Sequence, residues 1–175
     1  MKKLLSVAGL ILAVLVGSAS TAHAASSAVS AKADPRVCFA SPATADGTLI
    51  AQPAGTPTGC FDSLSTATAA FGPAATEYTT VIGTIYDSAY YITPKLDIYV
   101  TNNGSLCADG STWVVPDLGA YGWNDRASSV RAYGVCTAYL YQDVYYGGAS
   151  YLCPLACPLL GSFTNTASSL RFRRV

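Results

Sequence analysis

The sequence is nearly devoid of histidine and glutamate, because His23 and Glu77 are the only residues of these types among its 175. His23 lies in an N-terminal segment that we expect to be removed. The working protein then has no imidazole for a Ser-His-Asp triad, a Cys-His pair or a histidine-ligated zinc ion. A single glutamate leaves few acids of raised pKa for general acid catalysis, and no aspartate spacing suggests glycosidase chemistry. These absences predict a protein that is not an enzyme.

A membrane-spanning run is also missing. The one long apolar run, residues 4–16, has about 13 residues, fewer than the roughly 20 that a spanning helix needs, and no second run follows. Lys2 and Lys3 precede this run, and Ala22-His23-Ala24 follows it as a small-x-small cleavage site. We expect residues 1–24 to be a signal peptide cleaved after Ala24, and the mature protein to be secreted and extracellular.

An excess of positive charge is absent as well. Without Lys2 and Lys3, eight lysines and arginines face ten aspartates and glutamates, which gives a net charge of −2. Nucleic-acid-binding domains and polybasic membrane-binding segments carry clusters of Lys and Arg. We therefore expect neither nucleic acid nor a membrane among the partners, and we expect a monomer.

The cysteines, by contrast, are numerous and even in number. All six belong to the mature chain: Cys38, Cys60, Cys107, Cys136, Cys153 and Cys157. In an exported protein they predict three disulfide bonds, for which 15 pairings are possible. Cys38 and Cys60 bracket a loop and form the natural local pair. Cys153 either bounds a short loop with Cys157 or staples a predicted hairpin through Cys136.

Composition divides the mature chain into two regions. An Ala/Ser-rich linker at residues 25–33, which we expect to be disordered, precedes them. Residues 34–77 predict a small strand–loop–helix subdomain, with a strand at 36–40, a Pro/Gly/Thr-rich loop, and a short helix at 64–71 capped by Ser63. This region is either a pro-region that is removed or a cover for the main domain.

From residue 79 onward the pattern predicts strands. Tyr, Val, Ile and Thr are frequent, and Gly, Asn and Asp interrupt the runs. Four runs lie in two pairs around turn regions: residues 81–86, 96–100, 137–141 and 149–153. Ala138 and Leu140 alternate with tyrosines, as in a strand with one buried face. Short strands at regular spacing predict an all-β Greek-key sandwich.

A near-duplicate marks this β-rich region. The sequence WNDRASSVR at residues 123–131 is echoed by FTNTASSLR at residues 163–171, 40 residues later. A repeat of this length is one supersecondary unit that cannot bury its apolar face alone. Each copy places clustered oxygen ligands beside a strand, which indicates a hard metal ion rather than catalysis.

The hairpin upstream of the second copy carries a signature. Tyr141 and Tyr146 are followed by Gly148 and, further on, by Ser168. This Tyr-x4-Tyr-x-Gly…Ser pattern resembles the Greek-key signature of the βγ-crystallins. The resemblance implies that the aromatic rings pack across a folded hairpin, that Gly148 takes a positive φ, and that Ser168 ties the hairpin down through its hydroxyl.

A weaker copy of the signature lies upstream, with Tyr86, Tyr91, Thr93 in place of the glycine, and Ser128. Its span from first tyrosine to serine is 42 residues, against 27 in the second copy. Two such motifs make one complete domain. The resemblance therefore covers residues 79–175 and implies a two-motif βγ-crystallin-type sandwich, which the small strand–loop–helix region precedes.

Microbial βγ-crystallins often bind calcium through Asn/Asp-Asn/Asp-x-x-Ser/Thr-Ser, with two sites shared between the motifs. Residues 124–129 match this pattern in full, and residues 164–169 depart from it at Thr164. The resemblance implies Ca2+ as a ligand. The implied binding residues are Asn124, Asp125, Arg126 and Ser128 in the first copy and Asn165, Thr166 and Ser168 in the second, with Arg126 and Thr166 contributing backbone carbonyls. One formal negative charge over two sites predicts weak binding, at about 10⁻⁴–10⁻³ M. Alternatively, both segments are only structural, and their Ser-Ser pairs satisfy buried backbone groups.

A second functional hypothesis comes from a short loop. Pro154, Leu155 and Ala156 lie between Cys153 and Cys157. A rigid, exposed, substrate-like loop binds a protease with little loss of entropy. The chain is similar in plan to secreted bacterial metalloproteinase inhibitors, which implies an extracellular protease as the partner. A further alternative is a killer-toxin-like antimicrobial protein, since some secreted members of this fold act in that way.

Overall fold

Eleven strands and one α-helix make up the described part of the chain, which the computed structural model gives as residues 37–52, 56–72, 79–101 and 105–175. The strands are β1 (Val37–Phe39), β2 (Ser41–Ala43), β3 (Gly59–Phe61), β4 (Thr79–Tyr86), β5 (Lys95–Thr101), β6 (Thr112–Val115), β7 (Ser129–Ala132), β8 (Thr137–Tyr141), β9 (Ser150–Cys153), β10 (Ala156–Cys157) and β11 (Ser169–Arg173). The helix α1 is Leu64–Phe71, and four 3-10 turns lie at Ala89–Tyr91, Gly119–Tyr121, Val144–Tyr146 and Gly161–Phe163. The predicted signal peptide, the linker and the boundary after residue 77 lie outside the described residues.

The strands form two sheets, and each motif lends one strand to the other motif's sheet. Sheet A has the order β10-β7-β4-β5-β1-β3, and sheet B has the order β2-β6-β11-β8-β9. In the first motif, β4, β5 and β7 lie in sheet A while β6 pairs with β11 in sheet B. In the second motif, β8, β9 and β11 lie in sheet B while β10 pairs with β7 in sheet A. The predicted all-β, two-motif Greek-key sandwich is confirmed, and each sheet depends on both motifs.

The core lies between the two sheets. In β8, Ala138 and Leu140 are buried while the tyrosines that alternate with them are half-buried, so the predicted alternation is confirmed. Trp123 and Phe172 are the largest of the fully buried side chains. Burying an apolar side chain of this size stabilises the folded state by about 1.5–3 kcal/mol. This burial favours the packing of the two sheets against each other.

The N-terminal strands extend both sheets. β1 pairs in parallel with β5 and antiparallel with β3, which adds two strands to the edge of sheet A. β2 pairs antiparallel with β6 and adds one strand to the edge of sheet B. The region predicted as a small subdomain is thus continuous with the two sheets. Its removal as a pro-region stays a prediction.

The helix α1 begins and ends where the sequence predicts. The Thr66 backbone N–H donates to the Ser63 hydroxyl (3.2 Å), which caps the first turn, and Gly72 ends the helix with a φ of +79°. Ala67 joins Val37 and Phe39 of β1 in a small second core. No helix in the described ranges is long and apolar enough to cross a membrane.

Three disulfide bonds join the six cysteines. The predicted Cys38–Cys60 pair is confirmed, because the two residues lie opposite each other in β1 and β3. The other bonds are Cys107–Cys136 and Cys153–Cys157. The predicted alternative, a Cys136–Cys153 disulfide across the hairpin, is therefore wrong. Cys153 lies opposite Ala138 rather than Cys136, and the chain returns so that the Cα of Cys157 is 5.9 Å from that of Cys153. Three disulfides are typical of an oxidising compartment.

The loop after β2 covers a buried arginine of the second motif. Arg171 is only 8% exposed, and its Nη1 and Nη2 donate to the carbonyls of Ala45 and Asp46, each at 3.0 Å. Its guanidinium lies 4.8 Å from the ring centroid of Tyr146. Burial raises the pKa of Tyr146 to about 12. The N-terminal region therefore supplies carbonyls that accept from the two terminal nitrogens of a buried cation of the second motif, while the Nε of Arg171 has no hydrogen-bond partner within the described residues.

We expect Arg171→Met to lower the free energy of unfolding by about 2 kcal/mol, because it removes two hydrogen bonds from a charged donor. Urea denaturation measures the change. Arg173→Met is the matched control. Arg173 lies in the same strand with its guanidinium 4.8 Å from the Tyr139 ring centroid, and its side chain makes no hydrogen bond within the described residues. Its loss should cost less than about 1 kcal/mol. If both variants lowered the free energy of unfolding equally, the hydrogen bonds from Arg171 to the loop after β2 would have no specific stabilising role.

Candidate functional site

Two folded hairpins with the same geometry frame the candidate site. In the first, β4–β5, the Tyr86 and Tyr91 rings lie edge to face at 5.5 Å, and in the second, β8–β9, the Tyr141 and Tyr146 rings do so at 5.8 Å. Both hairpins fold over at 3-10 turns whose last two tyrosines have positive φ. Gly148 has a φ of +69°, as the resemblance implies, and a Cβ there would meet the Asp143 carboxylate at 2.7 Å.

The serine that ties each hairpin is the second of its Ser-Ser pair. The Ser169 hydroxyl donates to the Asp143 carbonyl (2.7 Å) and accepts from the Tyr146 N–H (3.0 Å). Ser129 does the same in the first motif, with the Ser88 carbonyl (2.7 Å) and the Tyr91 N–H (3.0 Å). The assignment of this role to Ser168 and Ser128 is wrong. Side chains alternate along a strand, so Ser129 and Ser169 face the folded hairpins while Ser128 and Ser168 precede the strands.

The two near-duplicate segments form matching arches that are bonded to each other. We call residues 124–129 the first arch and residues 164–169 the second arch. The Asp125 N–H donates to the Ala167 carbonyl (2.9 Å), and the Asn165 N–H donates to the Ala127 carbonyl (2.8 Å). Asp125 and Asn165 have φ values of +55° and +57°. Asp and Asn tolerate this left-handed conformation better than other non-glycine residues, which explains their presence at this position of each arch.

Just before the arches, the structural correspondence between the two copies differs from their sequence alignment. The 3-10 turn Gly119–Tyr121 has its counterpart in Gly161–Phe163. Phe163 therefore corresponds to Tyr121 in space, and not to Trp123 as the sequence alignment of the copies indicates. Gly122 and Trp123 are an insertion in the first motif, and Trp123 is fully buried.

A polar cleft of about 360 Å³ lies between the two arches and the second hairpin. Its lining residues, all polar, are Asp125, Gln142, Asp143, Asn165, Thr166 and Ser168. Asp125 comes from the first arch, while Asp143 comes from the turn that the Ser169 hydroxyl fastens. Neither carboxylate pairs with a Lys or Arg within the described ranges. The cleft thus presents two carboxylates that form no ion pair in these ranges, together with several neutral side chains that carry oxygen atoms.

The predicted calcium residues divide between this cleft and its surroundings. Four of them line the cleft: Asp125, Asn165, Thr166 and Ser168. Three do not. Asn124 donates to the Asp125 carboxylate at 2.6 Å, Ser128 donates to the Asn165 amide oxygen at 3.0 Å, and the Arg126 guanidinium pairs with Asp87 at 2.7 Å.

Sequence reasoning missed two residues of the cleft, Gln142 and Asp143. Both lie between Tyr141 and Tyr146, and the hairpin signature assigns a role to the two tyrosines but none to the residues between them. The expectation of one formal charge over two sites is wrong, because the hairpins add Asp143 to the cleft and Asp87 to the first arch. No group of three or more His, Cys, Asp or Glu side chains comes together in the described ranges.

The loop between Cys153 and Cys157 lies elsewhere, at an edge of sheet A. The disulfide closes it, and Leu155 is 58% exposed at its tip beside exposed Pro154. Ala156 belongs to β10 and lies opposite Arg131 of β7. The loop is therefore fixed to the sheet on one side and exposed at Leu155.

The strand exchange, the tyrosine hairpins and the paired arches define a two-motif Greek-key sandwich, extended by N-terminal strands. A βγ-crystallin domain from Flavobacterium johnsoniae is similar, at 27% identity over 53% of this chain and 94% of that one, with a TM-score of 0.40. The βγ-crystallin of Ciona intestinalis is 22% identical over 53% and 98%, with a TM-score of 0.40. A βγ-crystallin domain from Clostridium beijerinckii is 14% identical over 53% and 97%, with a TM-score of 0.41. No protein-family model and no curated protein matches the sequence. The chain is thus similar to βγ-crystallin domains over about half of its length, and these are the proteins that the tyrosine motifs resemble.

We expect Ser169→Ala to lower the free energy of unfolding by about 1–3 kcal/mol, since it removes two part-buried hydrogen bonds, one with the Tyr146 N–H and one with the Asp143 carbonyl. Chemical denaturation measures the change. Ser168→Ala is the matched control, because the Ser168 hydroxyl has no hydrogen bond within the described residues. A loss as large for Ser168→Ala as for Ser169→Ala would show that the two serines do not divide their roles in this way.

Proposed function

We propose that this protein is a secreted, non-enzymatic βγ-crystallin-type domain that binds one calcium ion in the cleft and is stabilised by it. The observation that carries the proposal is the convergence of Asp125 and Asp143 from different motifs on one polar cleft. Calcium binds to oxygen ligands, and every side chain that lines the cleft offers one. The donor set therefore fits this ion.

The cleft also accounts for the effect that calcium would have. Asp125 belongs to the first arch, Thr166 and Ser168 to the second arch, and Asp143 to the second hairpin. An ion that these residues hold would join three segments that are far apart in sequence. In the unfolded chain the segments are separated, so binding favours the folded state. With two carboxylates and the remaining ligands neutral, binding at about 10⁻⁴–10⁻³ M is typical of extracellular modules.

Secretion is supported by the sequence of residues 1–24 and by the three disulfides. Extracellular fluids that contain millimolar calcium suit a site of this affinity. A non-enzymatic role is supported by the lack of histidine after His23. Calcium then acts as a structural ligand that raises the stability of the domain.

We expect 10 mM calcium to raise the melting temperature of the mature protein by roughly 3–10 °C, from the mass-action gain and the size of the domain. Asp125→Ala and Asp143→Ala should each abolish the shift. Differential scanning calorimetry with and without calcium measures it. Asp62→Asn is the matched control, because it removes the same charge from an exposed position away from the cleft. An unchanged melting temperature for the unmutated protein, together with no calcium heat in isothermal titration, would contradict the proposal.

A second candidate function is inhibition of an extracellular metalloproteinase by the loop at Pro154, Leu155 and Ala156. The observation that favours it is the Cys153–Cys157 disulfide, which closes this loop and leaves Leu155 exposed. A loop constrained in this way loses little conformational entropy on binding a protease cleft.

For this function we expect inhibition of at least one extracellular metalloproteinase at micromolar concentration, and a loss of at least about tenfold in Leu155→Asp, because a charge replaces the apolar side chain that would enter the protease subsite. Inhibition assays against a panel of such proteases measure both. Leu152→Asp provides the control, since Leu152 is exposed on β9 outside the loop. Absence of inhibition across the panel would dispose of this function.

A further inference from the structure

The first arch has its own counterpart of the cleft, with a different set of side chains. The arches and hairpins repeat, so each cleft residue has an equivalent on the other side. The residues equivalent to Asp125, Gln142, Asp143, Thr166 and Ser168 are Asn165, Asp87, Ser88, Arg126 and Ser128, respectively. The one cationic residue in this second set is Arg126, which takes the position of the neutral Thr166.

The Arg126 side chain is bonded to Asp87, another member of this counterpart site. Its Nη2 and Nε donate to the same Asp87 carboxylate oxygen, at 2.7 and 3.3 Å, and its Nη1 donates to the Gly122 carbonyl at 3.1 Å. The guanidinium also lies 4.4 Å from the ring centroid of Trp123, within the range of a cation–π contact. Arg126 and Asp87 side chains are only 23% and 30% exposed, so water screens their attraction less than at a fully exposed pair.

The neutral oxygens of the counterpart site are engaged as well. The Ser128 hydroxyl donates to the Asn165 side-chain oxygen at 3.0 Å, so these two oxygens are directed at each other. In the cleft, the Ser168 hydroxyl has no hydrogen-bond partner within the described residues. Formal charge separates the two sites further: the cleft carries −2 from its two aspartates, while Asp87 and Arg126 sum to zero.

We propose that Arg126 is an internal cation that closes the counterpart site to metal, so that the domain has one calcium site rather than two. This inference rests on the proposed function of the cleft for its first site. A divalent ion entering the counterpart site meets the guanidinium at close range and must break its bonds to Asp87 and Gly122. Replacing Arg126 with a neutral residue releases the Asp87 carboxylate and opens the second site.

The test is isothermal titration of the mature chain with calcium chloride. We expect one calcium per protein for the unmutated chain and two for Arg126→Met, whose side chain keeps the apolar stem over Trp123 without the charge.

Arg131→Met is the matched control. It removes an arginine that also stacks on an aromatic ring, 3.9 Å from the Tyr91 centroid, and it should leave one calcium. Asp143→Ala added to Arg126→Met should reduce two calcium ions to one, because it removes a carboxylate from the cleft alone. Circular dichroism checks folding, and Arg126→Gln serves if the methionine variant does not fold.

The outcomes separate this inference from the proposed function. Two calcium ions on the unmutated chain would overturn the inference and leave the cleft standing. One calcium on both the unmutated chain and the Arg126 variants would overturn it as well. No calcium on the unmutated chain but one on Arg126→Met would support the inference and refute the cleft. No calcium on any chain would overturn both.

Discussion

The structure depends on a hydroxyl group that holds a folded hairpin closed, once in each motif. Ser129 and Ser169 each bond one carbonyl and one N–H of a turn whose tyrosines have left-handed backbone conformations. Such conformations are unfavourable for tyrosine in isolation, so the surrounding bonds must stabilise them. Once the hairpin is folded, its turn lies against the arches, and its polar residues reach the position where a site can form.

The same scaffold supports two different electrostatic arrangements. On one side, Asp125 and Asp143 face a polar cleft without a cationic partner in the described part of the chain. On the other side, the Arg126–Asp87 ion pair neutralises the equivalent position. Backbone bonds between the arches keep the two sides alike in geometry, so the difference arises from a few side chains. The repeat of the motif gives two equivalent positions, and a few side chains decide which of them carries a net negative charge.

The sequence predicts much of the fold because local patterns and global topology agree here. The alternation in β8 and the capped helix α1 follow from neighbouring residues, and the Cys38–Cys60 pair follows from two cysteines that bracket one loop; all three predictions are confirmed. The site was harder to predict, because Asp143 enters it only through the folding of the second hairpin. For a related reason, the signature assigns the tying of the hairpins to Ser128 and Ser168, whereas in the structure Ser129 and Ser169 tie them. A one-residue difference in register decides which hydroxyl faces the hairpin, and composition does not report register.

By itself the sequence determined the class of fold and the number of disulfides, since these follow from periodicity and an even cysteine count. Tertiary structure alone decided how the parts are joined. Strand exchange places β6 and β10 in the sheet of the opposite motif, and the N-terminal strands join both sheets. It also decided that Asp125 and Asp143 line the same cleft while Arg126 pairs with Asp87. Contacts between residues far apart in the chain depend on the path of the backbone, which no local pattern encodes.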